Sequence, residues 1–79
     1  MTEEKRMAIA EEAEMIVGGY AFIRKGDNIV IVNLNQRDEH AMMITKDGKM
    51  LESSMEPIEQ VVALKKWQQN AQFMEEESA

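Results

Sequence analysis

Seventy-nine residues without a cysteine make one small domain that neither disulfides nor a thiolate metal site can staple, and so short a chain is marginal by itself. The formal net charge of −6 sits at the ends: residues 1–14 hold five Glu against Lys5 and Arg6, residues 75–77 are Glu, and seven acids cancel seven bases between residues 15 and 74. A neutral body argues against direct nucleic-acid binding, which needs a clustered excess of Lys and Arg.

Thr2 followed by Glu3 and Glu4 predicts a helix start, with a capping hydroxyl and acids at the positive end of the helix dipole. Its apolar side is thin, made of Ile9, Ala13 and Ile16 with Ala10 and Val17, and Gly18-Gly19 is expected to stop it. Tyr20–Lys25 and Asn28–Leu34 are rich in β-branched and aromatic residues and flank Gly26-Asp27, which reads as a hairpin. A polar loop, residues 35–40, leads to a third strand, Ala41–Lys46. Asp47-Gly48 reads as a turn with positive φ at both central residues, and Lys49–Glu52 returns as the fourth strand. Connections this short predict an antiparallel meander. The strands are apolar on both faces: Val30, Val32 and Leu34 oppose Ile29 and Ile31, and Met42 and Ile44 oppose Ala41 and Met43. Both faces of the sheet therefore need cover.

Pro57 suits the first turn of the last helix, which runs from Ile58 to Met74. At about 100° per residue, Ile58, Val61, Val62 and Phe73 fall in one sector and Leu64, Trp67, Ala71 and Met74 in the opposite one. A helix that buries one side shows one stripe. The second group has the spacing of a helix–helix seam, which the first helix or a second copy could fill, and it is the expected interface. The predicted fold is therefore α+β, a single domain ordered as helix, four-stranded antiparallel meander and helix, with fraying over residues 1–6 and 75–79.

Chemistry is thinly represented. His40, the one histidine, follows Arg37-Asp38-Glu39, but neighbours on an extended segment point apart, and Ser53 and Ser54 lack the setting of a nucleophile. His40 with Met42, Met43, Met50 and Met55 suggests a soft-metal site; methionine is more commonly a filler of irregular cores. Gly18-Gly19 leads from helix to strand, the reverse of a phosphate loop. Tyr20, Phe22 and Arg24 share a strand face that could stack a base, although core packing suits the rings better. No catalytic residue, cofactor or metal is expected. The opening segment lacks an apolar stretch of signal length, and the apolar run Ile29–Val32 is far too short to span a bilayer, so a cytoplasmic protein without membrane contact is expected.

The string Gly19-Tyr20-Ala21-Phe22, Gly26-Asp27-Asn28-Ile29, Asn33-Leu34-Asn35, Asp47-Gly48 and Leu51-Glu52, with Met55, Ile58-Glu59 and Phe73-Met74, resembles a group of short uncharacterised bacterial proteins over residues 16–74. The resemblance implies a bacterial or phage-borne protein and transfers no site residue. Taken with the surplus of apolar surface, the sequence predicts a non-enzymatic protein–protein interaction module, homodimeric, acting on a bacterial partner protein. The alternative is an acidic inhibitor or antitoxin that occupies the nucleic-acid site of a target enzyme.

Overall fold

The computed structural model describes residues 2–78, with side chains described through Met74. Helix α1 (Glu3–Glu12) begins as its sequence dictates, with Thr2 Oγ1 accepting from the Lys5 backbone N–H at 3.1 Å and Glu3 and Glu4 in the first turn. Residues 3–6, where fraying was expected, are helical; residues 1 and 79 lie outside the described residues.

The first helix stops five residues short of its expected end. Met15–Val17 forms strand β1, paired with β2 (Tyr20–Lys25), and Gly18-Gly19 is the hairpin turn between them rather than a helix stop. Both glycines have positive φ, 58° and 84°, the requirement of a type I′ turn. The β-branched pair Ile16-Val17 beside such a turn gains ladder hydrogen bonds that a fraying helix end lacks, beginning with Glu14 N–H to the Phe22 carbonyl at 2.9 Å.

Strands β3 (Asn28–Asn33), β4 (Ala41–Thr45) and β5 (Met50–Ser53) complete the sheet, whose order is β1-β2-β3-β4-β5 with every pairing antiparallel. The meander is thus as expected in kind, with five strands among the described residues instead of four. The β4–β5 turn also differs: Asp47 does not take positive φ, while Gly48 does at 89°. Gly48 N–H bonds back to the Thr45 carbonyl and Thr45 N–H to the Lys49 carbonyl, both at 2.9 Å, which makes a three-residue loop with one left-handed glycine. Further along β5, Met50 opposes Ile44 and Glu52 opposes Met43, leaving Leu51 as the extra residue of a bulge on this edge strand.

Helix α2 (Pro57–Ser78) lies on one face of the sheet. Its Ala63, Trp67 and Met74 bury Tyr20, Phe22, Ile29, Ile31, Met42 and Ile44, with Trp67 stacked on Phe22 at a 6.1 Å centroid distance. Helix α1 lies on the other face and contributes one buried residue, Ile9, against Ala21, Ile23, Val32 and Leu34. The two helices are therefore separated by the sheet, and neither provides the seam of the other. Arg24 links the layers at one end: it grips Glu14 with Nε and Nη2, the latter 2.9 Å from Oε2, and Nη2 also donates to the Met74 carbonyl at 2.8 Å.

Candidate functional site

The helix stripe expected to form an interface is occupied inside the subunit. Trp67 and Met74 are buried against the sheet, and Leu64 and Ala71, half-buried, pack beside them. A sheet face as apolar as Phe22, Ile31 and Ile44 offers these four residues cover without a second chain, so their hydrophobic spacing reports core packing. The opposite stripe is the one left in water. Ile58 is 73% exposed, Val61 66%, Phe73 52% and Val62 37%. Three of these four sit within the first two turns of α2 and form a continuous apolar patch; Phe73 continues the line near the far end.

A second apolar surface remains on the α1 side. Helix α1 covers the sheet only near Ile9, and beyond it a trough of about 580 Å³ is lined by Val30, Ala41, Met43, Glu52 and Ser54. On the neighbouring edge strand Leu51 is about half exposed, as is Met50, which opposes Ile44 at the rim of the face that α2 covers. The trough expresses a shortage of cover, since the thin helix α1 cannot span its whole face of the sheet, whereas the outer stripe is the far side of a helix already docked.

The first turn of α2 is pinned by a buried polar cluster that sequence reading missed. Glu59, only 7% exposed, accepts from Asn33 Nδ2 at 2.9 Å and from the Glu56 backbone N–H at 3.3 Å, and its Oε1 lies 2.7 Å from His40 Nδ1. Asn33 Nδ2 also reaches Tyr20 Oη at 3.4 Å, and Asn33 Oδ1 accepts from Asn35 N–H at 3.0 Å. Burial would raise the Glu59 carboxyl, but hydrogen bonds from Asn33, His40 and Glu56 outweigh it and hold the group below its ordinary range. An ionised carboxylate can only accept, so the facing Nδ1 of His40 carries the proton. Burial, and then the Glu59 charge, push the Tyr20 phenol up. The backbone contact is half of a capping box, with Glu59 at the third helical position reaching back to the residue before Pro57.

These positions settle the other sequence candidates. His40 pairs with Glu59, nineteen residues away, and not with Asp38 or Glu39. The legible signal was the Glu56-Pro57-Ile58-Glu59 capping pattern; nothing in the sequence marked Asn33 or His40 as its partners. Met42 and Met55 are buried under α2, Met43 lies half-buried on the opposite face and Met50 is exposed, so the methionines do not gather round His40. Tyr20 and Phe22 are covered by α2 and cannot stack a base. Ser53 Oγ accepts from Met55 N–H and Ser54 Oγ from Ala41 N–H, both at 3.0 Å, which orders the approach to α2. The side chains of Glu75, Glu76 and Glu77 lie outside the described residues. Among the described residues, no group of three or more His, Cys, Asp or Glu is placed to hold a metal ion, and no helix is long and apolar enough to cross a membrane.

A family model described as "Family of unknown function (DUF7723)" matches residues 3–74. The chain belongs to this family. The match takes in α1, all five strands described above and α2 as far as Met74, so the two-faced sheet and the outward stripe of α2 lie within the family unit. No curated protein and no solved structure matches the chain.

Proposed function

We propose that this DUF7723 chain is a non-enzymatic interaction module that works as a homodimer and through it engages a partner protein. The observation that carries the reading is the outer stripe of α2, where Ile58, Val61 and Phe73 are each more than half exposed although the opposite side of the helix is docked on the sheet. Isolated surface hydrophobes are ordinary, but a cluster of β-branched residues on a rigid helix is what a helix-face contact requires. The thin cover supplied by α1 also favours association as the remaining source of stability.

Sedimentation equilibrium across micromolar concentrations tests the proposal. A dimer is expected for the wild type, and Val61→Ser combined with Phe73→Ser should weaken it by about tenfold or more while leaving the far-ultraviolet spectrum unchanged. A wild-type chain that sediments as a monomer up to 100-fold above the micromolar range, on the order of 0.1 mM, would remove the homodimer.

A further inference from the structure

We infer that His40 is a modification site, a nucleophile that takes a phosphoryl group on Nε2 while Glu59 holds and activates the ring from the other side. The two ring nitrogens are differently placed. Nδ1 donates to Glu59 Oε1 at 2.7 Å, and that carboxylate is itself fixed by Asn33 Nδ2 and the Glu56 backbone N–H. With the proton on Nδ1, the neutral ring carries its lone pair on Nε2. No hydrogen bond engages Nε2 among the described residues, and none of their buried side-chain nitrogens or oxygens lacks a partner. Nε2 is therefore open to solvent, in a side chain that is 21% exposed.

A buried carboxylate at Nδ1 fixes the tautomer and orientation of the ring and stabilises the positive charge that develops when Nε2 bonds to an electrophile. The same pairing serves metal ligands, relay bases and nucleophiles, and the surroundings of His40 separate these. A metal needs further ligands, and no group of three or more His, Cys, Asp or Glu gathers among the described residues. A relay base needs a hydroxyl to activate. The adjacent Ser54 commits its Oγ to the Ala41 N–H at 3.0 Å and to the Glu39 and Ala41 carbonyls at 3.3 Å, and Tyr20 is sealed under α2. The imidazole is left as the nucleophile itself. Of the groups that an imidazole accepts, a phosphoryl group forms a bond that persists at neutral pH, whereas an acylimidazole hydrolyses. That suits an acceptor in a chain without catalytic machinery.

Phosphoramidate is the donor for the test. The Nε2 lone pair forms the new N–P bond as the donor's P–N bond breaks. The leaving nitrogen, already protonated, departs as ammonia, and the cationic ring keeps its Nδ1–H against Glu59. Phosphorus NMR and intact mass follow the reaction, and with one histidine in the chain every phosphohistidine signal reports His40. The native protein should be labelled on Nε2 alone, about tenfold or more faster than N-acetylhistidine, and Glu59→Gln should slow it about tenfold. Because Glu59 also pins α2, the wild type in urea provides a second comparison: unfolding should lower the rate to that of N-acetylhistidine and spread the label over both nitrogens. Native labelling no faster than N-acetylhistidine, label on Nδ1 of the native protein, or an unchanged rate in folded Glu59→Gln would each overturn the assignment.

Discussion

Glu59 faces inward in the first turn of α2, on the side that Ala63, Trp67 and Met74 continue, while its neighbours Ile58 and Val61 are exposed. Its carboxylate satisfies a donor from the sheet (Asn33), one from the loop before β4 (His40) and one from the helix cap (Glu56 N–H). Glu59→Gln should therefore cost about 1–3 kcal/mol near neutral pH, since charged acceptors contribute more than neutral ones and every donor here is buried or half-buried. The sign of its pH dependence follows from the lowered carboxyl. As pH falls, the unfolded chain takes up the proton first, so the contribution is complete above the ordinary value of about 4.3 and is lost as pH drops through the lower folded value. Urea unfolding at a series of pH values checks this: the gap between wild type and Glu59→Gln should narrow below about pH 4. A gap that stays constant to pH 3 would mean that the carboxylate is not held by these donors. The sequence reading marked this helix start by Pro57 alone and missed the role of Glu59. Asn33 and His40 join it from positions 26 and 19 residues away, and no periodicity encodes such a meeting.

At the scale of elements, α2 is a helix with two apolar sides and one core. The side bearing Trp67 and Met74 lies against Phe22 and the β3–β4 residues, while the side bearing Val61 and Phe73 does not. Trp67→Ala should thus lower the unfolding free energy of the subunit by about 3–5 kcal/mol. Val61→Ser, changing a surface position, should stay within about 0.5 kcal/mol for the isolated subunit. Chemical denaturation at submicromolar concentration, where association contributes least, separates the two; equal losses would contradict the assignment of faces. The helical wheel resolved both stripes from the sequence, but it pointed to Leu64, Trp67, Ala71 and Met74 as the interface, and these pack on the sheet instead, because the same spacing suits a partner helix and a sheet alike. The first helix shows the converse difficulty. Ile9, Ala13 and Ile16 keep helical spacing, and only the competing ladder between Met15–Val17 and β2 decides that the chain turns extended after Glu12.

For the whole molecule, a sheet of five strands among the described residues, apolar on both faces, is covered by α2 on one side except at the β5 edge and sparsely by α1 on the other. Apolar surface remains exposed at the outer α2 stripe and in the trough beside Val30 and Met43. If two subunits share that surface, the thermal midpoint should rise with protein concentration, because dimer binds the native state and not the unfolded one. Calorimetry over a 100-fold concentration range reads this directly, on the order of 2.7 kcal/mol at 100 times the Kd. A midpoint independent of concentration would place the protein's stability entirely in the subunit.

The sequence by itself determined the alternation of strands, their antiparallel order from short glycine-marked turns, and the surplus of apolar surface, since all three depend on neighbours within a few residues. Only the tertiary structure decided which stripe of α2 is core, that Met15–Val17 is a strand, and that Glu59 meets His40 and Asn33. Those outcomes depend on which surface lies opposite a residue in space, and that is fixed by how the layers stack rather than by local periodicity.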